Sequence, residues 1–253
     1  MIELRHLCAG YGSKPVLHGL SLTLEPGQLT AVIGPNGSGK STLLKTIAGL
    51  LPASAGQILL DNADCGALSR QQMARRIAYL SQGTTTPDMT LGQMVLHGRF
   101  PHLQYPRRYS REDRRIAQYA MARMDITHLA DSLLAELSGG MRQKAYIAMA
   151  LAQDTDYIFL DEPTTYLDIS HQLELMNTLR QLATNGKGIV TVMHDLPMAF
   201  TFSDRILLIR EGHITADGAP ARIAQNPAVE AAFGVSVQYD SLENTYRYGY
   251  CLH

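Results

Sequence analysis

Gly34-Pro35-Asn36-Gly37-Ser38-Gly39-Lys40-Ser41-Thr42 follows directly on the apolar run Leu29-Thr30-Ala31-Val32-Ile33 and contains the pattern G-x-x-x-x-G-K-[ST]. A stretch of this kind receives phosphate. A backbone that curls around an anion adopts dihedrals that a Cβ resists, and its consecutive N–H groups then point inward. Lys40 adds charge against β- and γ-phosphates, Ser41 offers a hydroxyl to Mg²⁺, and Thr42 lies in the first turn of a helix whose positive end faces the same place. Further along, Tyr157-Ile158-Phe159-Leu160 runs into Asp161-Glu162-Pro163. An aspartate after such a strand can hold Mg²⁺ through water. The adjacent glutamate, unprotonated and in line with a γ-phosphate, can polarise the attacking water.

Two more residues stand at strand ends. His194 follows Lys187 to Met193, where it can hydrogen-bond a γ-phosphate and align acid and water. Gln82 follows Ile77 to Leu80, where a neutral amide can touch a metal-bound water or a γ-phosphate and swing away when it is gone; the plain alternative is a loop glutamine. In an open parallel sheet the carboxyl ends of the strands form the ligand crevice, so one geometry gathers Gly34, Gln82, Asp161 and His194. Tyr11, among Gly10, Gly12 and Ser13, either stacks on an adenine or is an ordinary loop tyrosine. Leu137-Ser138-Gly139-Gly140-Met141-Arg142-Gln143 opens a helix that runs through Ala150. Ser138 can cap it, and the two glycines leave its first N–H groups bare, making a second anion-receiving terminus without a metal ligand of its own. One use is to grip the γ-phosphate of an ATP held by another copy, which predicts a head-to-tail homodimer with two ATP molecules between the subunits. The alternative is a simple N-cap. Tyr166-Leu167-Asp168 lies within reach of the acid pair.

The elements that position these residues follow from periodicity and caps. Short β-like runs, Ile2 to Leu4 and Leu20 to Leu24, surround the Gly10 to Ser13 turn, and Gly56 to Asp61 reads as a further strand. The helix from Lys40 extends to about Leu50, and Ser69 to Arg76 forms another. Across Thr84 to Glu136 strand signals vanish. Thr90 caps Leu91 to His97, and Ser110-Arg111-Glu112-Asp113 starts a helix with Ile116, Tyr119, Ala120 and Met124 along one side, so residues 84–150 read as an inserted helical subdomain. Arg99, Arg107, Arg108, Arg111, Arg114 and Arg115 cluster here with His102, Tyr105 and Tyr109, as a solvated face or as a partner or lipid-headgroup contact. Asp204 to Leu208 and Gly212 to Asp217 continue the sheet, Pro220 to Phe233 is helix-like, and Tyr246, Tyr248 and Tyr250 alternate as in a terminal strand.

With 253 residues, 45% of them hydrophobic, the chain can bury a sizeable core. A formal net charge of -1 gives no overall field for nucleic acid or an anionic surface, so either partner needs a local patch. No eighteen-residue apolar run or signal-peptide core is present, which predicts a cytoplasmic protein unless a partner holds it at a membrane. Cys8, Cys65 and Cys251 lack disulfide or zinc spacing and read as reduced, packed thiols.

Together these motifs resemble the ATP-binding subunits of ABC transporters over essentially the whole chain. The resemblance implies a single α/β domain, 1–253, of the P-loop NTPase type, with the helical insert and an antiparallel β subdomain. In its terms Tyr11 looks like the adenine-stacking loop, Gly34 to Ser41 the Walker A motif, Gln82 the Q-loop and a contributor to the metal site, and Leu137 to Gln143 the signature. Asp161 and Glu162 look like the Walker B pair, Tyr166 to Asp168 the D-loop, and His194 the switch histidine. Implied with these are ATP and Mg²⁺, a homodimer, two transmembrane permease subunits that hold it at the cytoplasmic face of the cell membrane, a periplasmic or surface substrate-binding protein, and no nucleic acid. Gly98-Arg99-Phe100-Pro101-His102 and Asp161 to Gln172 are similar to the ATPases of ferric-siderophore importers. Haem and cobalamin importers share the architecture, and a soluble assembly ATPase of the same fold is the rival. Met141 stands where the signature usually has glutamine, and Ser81 where proline is common.

Overall fold

The computed structural model describes residues 1–81, 86–165, 167–240, 243 and 245–250. Gln82, Tyr166 and Cys251, singled out in the sequence, lie outside the described residues.

A six-stranded sheet forms the middle layer. It contains β3 (Leu29–Ile33), β6 (Ile77–Leu80), β7 (Tyr157–Asp161), β8 (Gly188–Val192), β9 (Arg205–Arg210) and β10 (His213–Gly218), in the order β10-β9-β3-β8-β7-β6. All neighbours are parallel except β10, which returns antiparallel beside β9. Because side chains alternate across a strand, each inner strand feeds two cores. Ala31, Ile33, Ile158, Leu160 and Ile189 face one cluster, while Val32, Tyr157, Phe159, Val190 and Val192 face the other.

The second cluster is closed by α1 (Lys40–Ile47) and by a four-stranded antiparallel sheet, β2-β1-β4-β5, of β1 (Ile2–Tyr11), β2 (Lys14–Leu24), β4 (Ala53–Leu60) and β5 (Ala63–Asp64). The short runs read at the start of the chain are one long hairpin. Register shifts near Leu4 and Leu7, with His6 at φ 49°, break the alternation by which a strand is recognised. The first cluster is closed by α5 (Gly139–Ala152), α6 (Ile169–Thr184), α7 (Leu196–Phe202) and the helices that pack on α5, namely α3 (Leu91–His97) and α4 (Arg111–Arg123). Helices α6 and α7 are additional to those expected from periodicity and caps.

Local chemistry sets the ends of these elements. The short α2 (Arg70–Ala74), α3 and α4 all begin with reciprocal capping boxes, from Ser69, Thr90 and Ser110. Helix α1 stops at Ile47, earlier than expected, because Ala48 leaves helical geometry. The single helix expected over 220–233 is two, α8 (Pro220–Ala224) and α9 (Pro227–Phe233), with Asn226 capping the second and Pro227 at its first position. A hairpin of β11 (Val235–Asp240) and β12 (Thr245–Tyr250) follows, its Tyr246 against Phe200 of α7. Cys8 and Cys65 are free and half-buried, and burial pushes the Cys65 thiol up to about 11.

Arg99 departs from the surface cluster expected of it. It is buried, its Nε donates to Asp113 Oδ1 at 3.0 Å, and its NH1 donates to the carbonyl of Ala152 at 2.9 Å. It is an internal strut between α4 and the end of α5.

Candidate active site

Register brings the strand ends together. Val32 pairs with Val192, and Val192 with Asp161, so the residues that follow these positions emerge at one sheet edge. Asn36 to Thr42, Glu162 and His194 line one cavity there, of about 540 Å³, with Tyr11 and Val16 at its side; Gly34, Pro35 and Asp161 are not in its lining. Tyr11 ends β1 half-exposed, and Val16 was not anticipated.

The glycine-rich loop is built for close approach. A Cβ on Gly34, at φ 152°, would lie 2.0 Å from the carbonyl oxygen of Ile209. Lys40 is buried, and its ammonium donates to the carbonyls of Gly34 (2.8 Å) and Pro35 (2.9 Å). Burial draws the Lys40 ammonium below the ordinary lysine value, while the Glu162 and Asp161 carboxylates act against that. Ser38 Oγ is buried in the loop without a hydrogen-bond partner, an unsatisfied polar group of the kind a bound oxyanion completes.

Asp161, buried at the end of β7, receives two hydroxyls. Ser41 Oγ donates to its Oδ1 at 2.9 Å and Tyr79 Oη to its Oδ2 at 3.1 Å. Tyr79 is the site residue that motif reading missed. It pairs with Phe159 across β6 and β7, which puts its side chain on the face of Asp161, two residues further on. Burial and the neighbouring carboxylate push its phenol well above the usual tyrosine value, so it stays a hydrogen donor. Glu162 leaves the strand at φ 54°, a left-handed conformation unusual for glutamate, and its carboxylate hydrogen-bonds His194 Nε2. A carboxylate and an imidazole thus face the loop as one unit.

The remaining predicted residues lie elsewhere. Ser138, exposed, caps α5 by accepting from the Met141 N–H at 3.3 Å, and neither it, Gly139 nor Gly140 lines the cavity. The start of α5 is nevertheless tied to the acid loop: Gln143 Nε2 donates to the carbonyl of Pro163 at 2.9 Å. Exposed Asp168 caps α6, accepting from the His171 N–H, Ser170 Oγ and His171 Nδ1, which hold its carboxyl down at about 2.

A parallel sheet that delivers a carboxylate pair to a glycine-rich anion loop is the architecture of a nucleotide-hydrolysing P-loop protein. The family described as ABC transporter matches residues 17–165, and this chain belongs to it. Membership implies ATP and Mg²⁺. The chain is 42% identical over 231 residues to the ferric enterobactin transport ATP-binding protein of Escherichia coli K12, covering 90% of this chain and 85% of that protein. It is 41% identical over 239 residues to a petrobactin import ATP-binding protein of Bacillus anthracis, covering 94% and 88%. A dimeric ATP-binding cassette in a post-hydrolysis state, bound to ADP and Pi, superposes with a TM-score of 0.75 at 27% identity, covering 87% of this chain and 99% of that one. The protein is an ABC-type ATPase subunit of an importer.

Proposed function

We propose that the chain powers uptake of a ferric siderophore, working as a homodimer beneath two membrane permease subunits that receive cargo from a substrate-binding protein. The observation that carries the ATPase part is the cavity in which Lys40, Glu162 and His194 meet the rest of the Asn36 to Thr42 stretch. The cargo is supported by the relatives, which serve ferric enterobactin and petrobactin.

In this reading the loop N–H groups and the Lys40 ammonium bind the triphosphate, and Tyr11, beside Val16, stacks on the adenine. Ser41 and Asp161, already joined by a hydrogen bond, would hold Mg²⁺ together with Gln82; when bound, the metal neutralises phosphate charge. Glu162 orients and polarises the attacking water, and His194 keeps the Glu162 carboxylate aimed. Ser138, Gly139 and Gly140, which stand outside their own chain's cavity, complete the site of the other subunit. Asp168 belongs to the same edge, where Ile169 and Leu173 stand exposed one turn apart, an apolar strip that a second copy would cover. Closure around ATP then assembles each site from two chains, and hydrolysis with phosphate release reopens it.

Uptake of radiolabelled iron from a panel of siderophores and haem tests the cargo, in a deletion strain carrying the native protein or Glu162→Gln. Loss of uptake of one ferric siderophore, restored by the native protein alone, is expected. Undiminished siderophore uptake in the deletion strain with loss of haem uptake would replace the cargo, and undiminished uptake of both in a strain without a redundant system would remove the import reading.

A further inference from the structure

Four arginines of the surface cluster have no acidic partner. Arg99 is consumed by Asp113 inside the protein, and Arg115 is paired with Glu112. Among the described residues Arg108, Arg111 and Arg114 form no ion pair, and the guanidinium of Arg107 lies 4.7 Å from the centre of the Phe100 ring. All four are exposed, and from Phe100 to Arg111 the chain has no acidic residue. Helix stability does not account for them, because Arg111 and Arg114 sit in the first turns of α4, where the positive end of the helix makes a cation unfavourable. Just before these arginines in the chain, Tyr105 stands 96% exposed, and Phe100 is 45% exposed.

We propose that this surface, Phe100 to Arg114, docks on the headgroups of anionic phospholipids. Guanidinium groups pair with phosphate in a planar two-bond geometry, and exposed aromatic rings favour the layer where apolar chains meet water. The chain's net charge of -1 provides no general attraction, so binding depends on this one concentration of charge. An acidic peptide is served less well, since residues 103–110 form no strand whose edge it could extend and no helix along which it could pack. The inference rests on the transport reading only for its setting beside a membrane; vesicle binding is measured without cargo or transport, so the two fail separately.

The test is co-sedimentation of the full chain with vesicles of phosphatidylcholine alone or containing phosphatidylglycerol, at low and at 0.5 M salt. Binding to the anionic vesicles only, abolished by high salt, is expected. At about fivefold per arginine, the double variant Arg111→Gln/Arg114→Gln weakens it at least tenfold, and Tyr105→Ala weakens it further. Arg180→Gln/Arg222→Gln, which removes the same charge from other surfaces, leaves it within twofold, and circular dichroism and ATP binding show that each variant is folded. Equal binding to both vesicle types, no binding to anionic vesicles at low salt, or equal loss in the two double variants would overturn the proposal. So would recovery of the chain with its permease in detergent that depends on Arg111 and Arg114 while vesicle binding does not, since the patch would then be a protein contact.

Discussion

Asp161 accepts one hydroxyl on each carboxylate oxygen, from Ser41 and from Tyr79, and so has a single orientation at the edge of the loop. If Asp161 holds Mg²⁺ as proposed, Tyr79 is an outer partner that fixes the metal-binding carboxylate, and such partners typically matter by about ten- to a hundredfold in metal affinity. Tyr79→Phe keeps the ring and removes only the donor. We expect Mn²⁺ affinity, measured by electron paramagnetic resonance with a non-hydrolysable ATP analogue, to fall about tenfold, with the thermal unfolding midpoint moving by only a few degrees. Unchanged affinity would show that Ser41 suffices. The sequence alone made Gly34 to Thr42, Asp161, Glu162 and His194 legible, because each is a residue type with few other uses at a strand end. Tyr79 was illegible for the opposite reason: a tyrosine inside an apolar strand is ordinary, and only its register opposite Phe159 turns it towards Asp161. The alignment of the acid by His194, expected from its place at a strand end, corresponds to the hydrogen bond between its Nε2 and the Glu162 carboxylate.

At the scale of elements, the join between the helical region and the core depends on a few buried polar contacts. Gly98, at the end of α3, has no room for a Cβ, which would lie 2.2 Å from the carbonyl of Met149 on α5. One residue on, Arg99 ties Asp113 to the end of α5, and His102 Nε2 donates to the carbonyl of Gln153 at 2.8 Å. The carbonyl of Pro101 accepts from Gln71 and Arg75 of the α2 region, both at 2.8 Å. Burial acts to raise the Asp113 carboxyl, but hydrogen bonds from Ser110 and the Arg99 guanidinium outweigh it and hold it below the ordinary aspartate value. Its contribution to stability is therefore present above the unfolded-state pKa, about 3.9, and is lost as pH falls through the lower folded value. Arg99→Ala leaves that carboxylate buried without its cation, costing about 3 kcal/mol, or about 6–12 °C in Tm for a chain of this size. It also moves the acid unfolding midpoint to higher pH. Calorimetry at neutral pH and an acid titration followed by circular dichroism check both, and a change below 2 °C would show the strut to be dispensable. Capping boxes made the helix starts readable, whereas Arg99 looked like surface charge because nothing in the spacing of Gly98-Arg99-Phe100 reveals that Asp113 lies behind it. The bulged hairpin of β1 and β2 and the break at Pro227 escaped for related reasons: a bulge erases periodicity, and a proline that begins one helix resembles one tolerated inside another.

For the whole molecule, the layered fold keeps the cavity of the glycine-rich loop and the glycine-rich start of α5 apart within one chain. The cavity holds Lys40, Glu162 and His194, while Ser138, Gly139 and Gly140 open α5 outside it. Each is half of a site if, as proposed, a second copy docks in the opposite sense. The fold was legible in the sequence, since the order of strands and loop prescribes it; the start of α5 was open between a simple cap and a site for another copy's nucleotide, and within one chain Ser138 acts as the cap. Which apolar side chains stay exposed was not legible, because exposure is a property of the packed molecule. The most direct measurement is the solution mass of Glu162→Gln by light scattering, with and without ATP and Mg²⁺. This substitution retains the loop and Lys40 and removes the carboxylate proposed to activate water, so on that proposal bound ATP persists. We predict a change from the monomer of 27.8 kDa to a species of about twice that mass, reversed when Ser138→Arg is added. A mass that stays at the monomer value with ATP bound and the protein concentrated would contradict the shared site.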